Sequence, residues 1–285
     1  MINYLRRHKI RTAIGCLLLL WYIFCLPRTL FKEGYATVVE SREGKLLGGK
    51  IAPDGQWRFP ERDTVPYKLR EAILAFEDAH FYYHWGVNPI STAKALLTNL
   101  RYGHTVRGGS TLTQQVIRLA RKNKARTYGE KLIEAIWAPR LEFRYSKEKI
   151  LALYASHAPF GGNVIGADMA AWRYFGVSLE QLSWAEACTL AVLPNAPGLI
   201  FPGHNQNALK KKRDFLLEKL LKNHTIDKTT YELSLEEPLV ERPHELPNIA
   251  PHLVERIART TPNKRQVTTI DYYLQERVQE VIAKY

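Results

Sequence analysis

The feature of this sequence that most constrains its fold is an apolar run near the N-terminus. Sixteen uncharged residues separate Arg11 from Arg28, and the stretch from Ala13 to Leu26 is almost entirely apolar. As a helix rising about 1.5 Å per residue, the run would be roughly 24 Å long, which is short of the hydrocarbon core of a membrane at about 30 Å. Snorkelling arginines or local thinning of the bilayer would cover that difference.

Basic residues before this run are compatible with an uncleaved membrane anchor or with a cleaved signal peptide. A signal peptide has a similar basic start and short apolar centre, but here no small-residue cleavage site follows, and Trp21, Tyr22 and Phe24 are bulky. We therefore predict an uncleaved transmembrane helix, with residues 1–30 forming a cytoplasmic tail and anchor. The positive N-terminal flank predicts that the remaining chain lies outside the cytoplasm.

The charge of the chain indicates an anionic partner. The formal net charge is +13, and 46% of residues are hydrophobic, which excludes a largely disordered chain. Residues 101–150 contain twelve Lys or Arg and four Asp or Glu, so most of the excess lies in that stretch. A second basic cluster at 210–213 is typical of a solvated helix face. The three cysteines have neither a disulfide framework nor metal-ligand spacing, so they leave the compartment open.

Hydrophobic periodicity predicts a mainly helical body behind a short β linker at residues 31–60. Three short strands are predicted in that linker, at 35–39, 45–51 and 56–59. Helices are predicted from Thr64 onward and at 90–100, 111–124, 128–144, 147–157, 164–174, 184–193 and 207–223. The proline-containing stretch 224–265 predicts a linker or a small irregular subdomain. Residues 266–285 begin a strand and helix that we expect to open a further domain, absent from this sequence.

One carboxylate lies on the apolar face of a predicted helix. Leu69, Ile73 and Glu77 are spaced four residues apart, so Glu77 continues the buried row of its helix. Partial desolvation would raise the pKa of such a carboxyl and suit it to accept a proton. The spacing alone favours the other interpretation, a helix-end carboxylate paired to a nearby arginine. Nearby, His84 is more typical of a structural histidine than of a catalyst.

A glycine-rich helix entry and a second carboxylate lie within the basic stretch. Gly108, Gly109 and Ser110 precede a helix, and the free N–H groups at such a helix start suit phosphate, although Ser110 could instead cap the helix. Thr127 to Glu130 reads as a capping box. Glu134, one turn on, is surrounded by cations and could hold a diphosphate directly or through a divalent ion, or could simply pair with Lys131.

These residues together resemble glycosyltransferase family 51, the peptidoglycan glycosyltransferases. The segment 77–86, EDAHFYYHWG, resembles the first family motif, EDxxFxxHxG, and the segment 108–115, GGSTLTQQ, resembles the second. Lys131 and Glu134 match the third motif. The fourth and fifth match YSKEKILALYASHAPFGG at 145–162 and AEACTLAVLPNAP at 185–197. Five ordered motifs across roughly residues 60–220 make the resemblance highly specific.

The resemblance implies a lysozyme-like, two-lobed glycosyltransferase domain at residues 61–223. It implies an inverting hexosyltransferase that polymerises lipid II into β-1,4-linked glycan strands, releases undecaprenyl diphosphate and serves bacterial cell wall biogenesis. Its partners would be lipid II, the growing lipid-linked glycan, the cytoplasmic membrane and other cell-wall synthesis proteins. Some family members, the penicillin-binding proteins, continue into a transpeptidase-like domain, and residues 267–271 resemble the start of that domain. Its catalytic serine motifs are absent from this sequence, so peptide cross-linking is not predicted.

Site residues follow from the same resemblance, position by position. Glu77 would be the general base that deprotonates the acceptor 4-hydroxyl, and Glu134 would position the leaving diphosphate, with Mg²⁺ or Mn²⁺ as a candidate ion on Glu134. The residues expected to bind substrate are Ser110, Thr111, Gln115, Arg118, Arg126 and Lys131. Two departures from the pattern occur: Ser156 replaces the usual asparagine of the fourth motif, and Pro139 lies inside the Glu134 helix, where it is expected to cause a kink.

Two other function classes remain as alternatives. A lysozyme-like glycan-cleaving enzyme would need only one carboxylic acid with a raised pKa. It would not need a cationic site for a diphosphate. A non-catalytic wall-binding or scaffold protein would bind lipid II without turning it over. Nucleic-acid binding is not predicted, because the body faces outward and no binding-module signature is present.

Overall fold

The structure is a computed structural model that describes residues 9–103, 108–122, 124, 127–195, 197–200, 202–282 and 284. Its helices are α1 Lys9–Phe24, α2 Tyr67–Glu77, α3 Pro89–Tyr102, α4 Leu112–Ala120, α5 Tyr128–Arg144, α6 Lys147–His157, α7 Ala167–Phe175, α8 Trp184–Val192, α9 Gln206–Lys222, α10 Lys228–Glu236, α11 Pro251–Thr260 and α12 Tyr272–Ile282. Its strands are β1 Thr37–Glu40, β2 Leu46–Lys50, β3 Trp57–Arg58, β4 Pro159–Gly161, β5 Val164–Ile165 and β6 Arg265–Val267. The predicted mainly helical body is confirmed, and the predicted helices begin and end within about a turn of the observed ones.

The chain divides into two compact units that interleave along the sequence. One unit comprises Met1–Lys32 and Tyr82–Lys147, and we call it the Glu134 unit. The other comprises Glu33–Phe81 and Glu148–Tyr285, and we call it the Glu77 unit. Each of the two predicted acidic residues therefore belongs to a different unit.

Within the Glu134 unit, helix α4 packs against helix α5. Leu112, Val116 and Ile117 of α4 are fully buried, and Ala138 and Leu141 of α5 are buried as well. Helix α5 is continuous through its internal Pro139, although proline cannot donate the backbone hydrogen bond at that position. The paired helices give the unit a fixed frame for the side chains between them.

Gly86 lies against this helix pair. Its φ is +80°, and a Cβ atom there would lie 2.6 Å from the carbonyl carbon of Ala138. Only glycine tolerates both the left-handed backbone and the close approach. The Gly86 carbonyl accepts a hydrogen bond of 2.6 Å from the Thr111 hydroxyl, which joins the first and second motifs within one unit.

The Glu77 unit is built around helices α2, α8 and α9, which pack on one another. Leu69 and Ile73 are buried on α2, as the periodicity predicted. Two small sheets complete the unit, one with strand order β2-β1-β6 and the other with strand order β3-β5-β4. The strands predicted for residues 31–60 therefore form, and β1 and β3 each pair with a strand from much later in the chain.

The C-terminal segments also pack in this unit. Strand β6 runs parallel to β1, and Ile270 and Tyr272 pack against an apolar cluster of Val39, Leu47, Ala250, Val254 and Ile257. Arg265 of β6 hydrogen-bonds Glu40 and Asp168. The strand and helix predicted for residues 266–285 are observed, and the strand finds its partner within this chain.

Two expectations for residues after 205 need correction. Arg213 was expected on a solvated face, but it is 1% exposed and donates to the carbonyls of Glu237 and Leu235 at 2.6 and 3.4 Å. The proline-containing stretch 224–265 includes helices α10 and α11. Pro251 is the first residue of α11, where the backbone N–H has no partner within the helix, so proline loses no hydrogen bond there. The other prolines of the stretch lie outside both helices.

Helix α1 carries the apolar N-terminal run. It has sixteen residues, and Leu17, Trp21 and Phe24 are among its exposed apolar side chains. Among the residues that the structure describes, no helix combines the length and the apolar character needed to cross a membrane.

Candidate active site

Glu134 lies on α5 in a bidentate ion pair with Arg118 of α4. Arg118 Nε lies 2.8 Å from Glu134 Oε1, and Arg118 Nη2 lies 2.9 Å from Glu134 Oε2. The Glu134 side chain is 6% exposed and that of Arg118 16%. Two parallel charge-assisted hydrogen bonds orient the planar guanidinium and hold the carboxylate in one position. The alternative of an i, i+3 pair with Lys131 is not what the structure shows for Glu134, because its bidentate partner comes from the neighbouring helix.

The start of α4 is held by its own capping interactions. Thr111 is the N-cap residue, and its hydroxyl accepts from the backbone N–H of Gln114 at 3.2 Å. The Gln114 side chain accepts from the Thr111 N–H at 2.9 Å. The cap is thus Thr111 and not Ser110, and the capping box occupies two of the N–H groups that were expected to be open to phosphate.

Ser110 is brought to the ion pair by this helix start. Its hydroxyl oxygen accepts from Arg118 Nη2 at 3.3 Å. Gly109 precedes it, and a Cβ atom there would lie 3.0 Å from the Ala95 Cβ, so glycine allows α3 to approach. Ser110, Arg118 and Glu134 therefore form one polar cluster, and Thr111 caps the helix that carries Arg118.

The remaining predicted substrate-binding residues lie at different distances from this cluster. Gln115 is half-buried on α4, and Lys131 is exposed on the first turn of α5, one turn before Glu134. Arg126 lies outside the described residues. The structure thus joins Ser110, Arg118 and Glu134 through hydrogen bonds, and it places Gln115 and Lys131 on the same two helices.

The capping box predicted at Thr127 is only half formed. The Thr127 hydroxyl accepts from the Glu130 N–H at 3.2 Å, as predicted. The Glu130 carboxylate instead binds Arg121 through two hydrogen bonds of 2.9 Å. Arg118 of α4 thus binds Glu134 of α5, and Arg121 at the C-terminal end of α4 binds Glu130. These two ion pairs hold the two helices together.

Glu77 ends helix α2 in the other unit. Its side chain is half-buried, whereas Leu69 and Ile73 of the same row are fully buried. Helix α9 packs against α2 here, and Lys219 of α9 donates to the Ala75 carbonyl at 2.5 Å. A carboxylate at a helix C-terminus faces the negative end of the helix dipole, so a nearby cation stabilises it.

One cation whose charge interacts with Glu77 is Lys212, which no motif indicated. Burial lowers the pKa of the Lys212 ammonium, and the negative charge of Glu77 partly offsets this shift. Lys212 Nζ also donates to Asn195 Oδ1 at 2.9 Å, and Asn195 belongs to the fifth motif. The available signal was periodicity, since Lys212 adjoins the buried Arg213 and lies four residues before the buried Leu216.

A second titratable cluster lies in the Glu77 unit. Glu61 Oε1 is 2.8 Å from His157 Nε2 and 2.9 Å from the Tyr35 hydroxyl. The hydrogen bond from His157 lowers the pKa of the Glu61 carboxyl to about 2. Burial lowers the pKa of His157, against the opposing effect of Glu61. This cluster joins α6 to the segments that precede α2 and thereby stabilises the Glu77 unit.

The donor set around Glu134 fits a protein-held divalent ion poorly. Both of its carboxylate oxygens accept hydrogen bonds from Arg118. Across the described ranges, no three His, Cys, Asp or Glu side chains gather closely enough to hold a metal ion. A hard cation prefers several oxygen ligands, and this cluster offers one carboxylate that is already paired.

The chain is similar to known proteins over most of its length. The family model described as Transglycosylase matches residues 48–221, a range that contains Glu77, Lys212 and the whole Ser110–Arg118–Glu134 cluster. Penicillin-binding protein 1C of Escherichia coli is 36% identical over 256 residues, which is 90% of this chain and 33% of that protein. Penicillin-binding protein 1A of Aquifex aeolicus is 34% identical over 177 residues, 62% of this chain and 24% of that protein.

The chain thus spans between about a quarter and a third of these relatives. A crystal structure of penicillin-binding protein 1A from Haemophilus influenzae aligns with 88% of this chain and 29% of its own chain, at 20% identity and a TM-score of 0.40, which is too low to support an argument about the fold. The family model covers more than half of the chain, and its range contains all five sequence motifs. The chain therefore belongs to the transglycosylase family.

Proposed function

We propose that this chain is a peptidoglycan glycosyltransferase that polymerises lipid II into β-1,4-linked glycan strands and releases undecaprenyl diphosphate. The observation that carries the proposal is the pair of different acidic sites within the family range: a half-buried Glu77 beside Lys212, and a buried Glu134 fixed by Arg118. The relatives are named as penicillin-binding proteins, which agrees with a role in cell wall synthesis. The lysozyme-like two-lobed form is part of the same proposal.

In this mechanism Glu77 accepts the proton of the acceptor 4-hydroxyl. The oxygen then forms a bond to the anomeric carbon of the lipid-linked donor, and the bond from that carbon to the diphosphate oxygen breaks with inversion. Lys212 keeps a positive charge near Glu77, which favours the ionised carboxylate before the proton is taken up. The proton ends on Glu77, and the electron pair of the broken bond leaves with the diphosphate.

The leaving diphosphate requires positive charge that is already in place. Arg118 is oriented by Glu134 and Ser110, and Lys131 lies one helical turn from Glu134. Fixed cations that meet developing negative charge lower the barrier without reorganising during the reaction. We propose that Arg118, Lys131 and Arg126 bind the diphosphate directly, with Gln115 on the donor side, and we derive no step through Mg²⁺ or Mn²⁺.

We also propose that the protein works at the outer face of the cytoplasmic membrane, together with other cell-wall synthesis proteins. The apolar side chains of α1 are exposed, and α5 adds an exposed apolar row in the same unit. That row consists of Tyr128, Leu132, Ile136 and Phe143, which share one face by their spacing. A lipid substrate and exposed apolar faces on one unit agree with a membrane-attached enzyme.

The test is polymerisation of lipid II by the purified full chain in detergent. We expect glycan strands to form and Glu77→Gln to lower the rate by roughly 10²-fold to 10⁴-fold, the usual contribution of a positioned base. Glu71→Gln is the matched control, because Glu71 is a half-buried carboxylate on the same helix. Full activity of the Glu77→Gln variant would remove Glu77 as the base.

The same preparation separates the alternatives. Shortening of preformed glycan strands would indicate a hydrolase, and binding of lipid II without turnover would indicate a scaffold protein. Adding EDTA to the polymerisation reaction tests the direct binding of diphosphate. We expect the rate to stay within about twofold, because the donor set around Glu134 does not form a metal site; a complete loss of rate that Mg²⁺ restores would contradict this part of the proposal.

A further inference from the structure

The C-terminal end of helix α1 has an unusual deficit of hydrogen-bond donors. The last carbonyls of any helix lack intrahelical partners. In a continuing chain the N–H of residue 27 would be the donor for the Ile23 carbonyl, but residue 27 is proline and has no N–H. The carbonyls of Pro27 and Arg28 follow in a segment without helical hydrogen bonding. This end of the helix therefore needs donors from elsewhere.

Two arginines of α5 supply those donors. Arg140 Nε donates to the Ile23 carbonyl at 3.0 Å, the acceptor that Pro27 leaves without a partner on α1. Arg144 Nη1 donates to the Pro27 carbonyl at 2.5 Å, and Arg144 Nη2 donates to the Arg28 carbonyl. Arg140 and Arg144 are one turn apart on the same helix, and together they donate to three carbonyls at the end of α1 and just beyond it. All of these residues belong to the Glu134 unit.

Arginine is suited to this position for two reasons. Its positive charge meets the negative end of the α1 dipole, which is favourable. Its planar guanidinium directs several N–H groups in a fixed fork, so one side chain can hold two neighbouring carbonyls, as Arg144 does. A carbonyl left without a donor near lipid would be costly, because no water replaces the missing donor there.

The same helix connects this contact to the active-site cluster. Glu134 lies six residues before Arg140 on the continuous helix α5, and its carboxylate holds Arg118. We propose that Arg140 and Arg144 are positioning residues that lock α1 to α5, so that the helix held by the membrane and the Glu134–Arg118 pair move as one body. This inference rests on the proposed function, because it concerns how a lipid-borne diphosphate reaches that pair.

The first test compares substrate in vesicles with substrate in detergent. The full-length Arg140→Ala/Arg144→Ala variant should polymerise lipid II in detergent at a rate within about twofold of the wild type, since chemistry is untouched. In phospholipid vesicles its rate should fall about tenfold or more, because a small misplacement of a binding group is costly when the substrate height is fixed. Arg140→Lys/Arg144→Lys should recover only part of this loss, because an ammonium lacks the guanidinium fork.

Arg101→Ala is the matched control for charge. Arg101 is an exposed arginine on α3 of the same unit, and its loss should change both rates equally. Equal losses in vesicles and detergent for the double variant would overturn the proposal, as would an unchanged vesicle rate.

A second test does not depend on activity. Spin labels on Cys16 of α1 and on Leu132→Cys of α5, in a Cys25→Ser background, report the distance between the two helices; Cys188 is buried and should not react. We expect a single narrow distance distribution in the wild type and a markedly broader one in Arg140→Ala/Arg144→Ala. Identical distributions would contradict the lock. If the wild type made no glycan at all, the proposed function would fail while this measurement still decided the lock.

Discussion

The two acidic residues that define the proposed site lie in different environments. Glu134 is buried and held by two hydrogen bonds from one arginine, in a unit where α4 and α5 are tied together along their length. Glu77 is half-buried at the end of a helix, and its nearby cation is a lysine whose pKa is lowered by burial. A carboxylate in a bidentate pair serves as a fixed charge, whereas one that is half-exposed can exchange a proton. In the proposed mechanism, this difference separates an acid that orients Arg118 from an acid that accepts a proton.

The largest expected effect would test this difference through stability. Arg118→Met should lower the free energy of unfolding by about 3 kcal/mol, because it leaves a buried carboxylate without its partner. Glu77→Gln should cost less than about 1 kcal/mol, since half-exposed side chains tolerate such changes. Urea denaturation of both variants measures the two values.

A double variant sharpens the same measurement. Arg118→Met/Glu134→Gln should cost less than the sum of the two single substitutions, because the pair is removed together. Additive losses would mean that the ion pair does not stabilise the Glu134 unit in the way the geometry indicates.

The next effect concerns the backbone that supports the Glu134 cluster. Gly86→Ala should destabilise the protein by about 2 kcal/mol, because the new Cβ would meet the Ala138 backbone in a left-handed conformation. Gly103→Ala is the control, since Gly103 has a φ of +70° but open space around it, and its cost should be about 1 kcal/mol. Thermal unfolding followed by circular dichroism compares them, and equal costs would show that the contact with α5 is unimportant.

A smaller effect should appear in the pH dependence of the Glu77 unit. The pKa values of Glu61 and His157 are both lowered in the folded protein, so the unfolded chain binds protons more readily. The free energy of unfolding should therefore be greatest above about pH 6.5 and should decline as the pH falls. Protonation of His157 should cause the first part of the decline, and protonation of Glu61 the second part, between about pH 4.5 and pH 2. The total loss should be about 2 kcal/mol.

Hydrogen exchange at several pH values locates this effect. Amides of α6 should lose protection before those of α4 and α5 as the pH falls. The His157→Asn variant should show a flatter profile between pH 6.5 and pH 5. Uniform loss of protection in both units would contradict the assignment.

The smallest effect concerns Lys212. Lys212→Met removes a positive charge near Glu77, so the carboxylate should take up its proton at a higher pH. The acidic limb of the kcat/KM profile should move upward by less than about one pH unit, as expected for a single charge in a partly solvated site. Lys211→Met, at the neighbouring exposed lysine, should leave the limb in place. A downward shift would contradict the role given to Lys212.

Local patterns predicted most of the helices and the position of Glu77, because spacing along one helix determines which face is buried. Contacts between helices were harder to predict. The partner of Glu134 is sixteen residues away on another helix, and nothing in the spacing of α5 distinguishes Arg118 from Lys131. The prediction that Arg213 is exposed was wrong, because in a run of four basic residues the charge alone does not indicate which side chain faces the core. Helices α10 and α11 were missed because prolines that flank helices resemble those of a linker.

The parallel pairing of β6 with β1 has a consequence for the order in which this protein can fold. Glu40 and its partner Arg265 are 225 residues apart in the chain. At a synthesis rate of about 5–20 residues per second, β1 would leave the ribosome roughly 10–45 seconds before β6 exists. The residues of the Glu134 unit from 82 to 147 are made within that interval. The edge of β1 that binds β6 must therefore stay soluble and unpaired while 225 of the 285 residues are made.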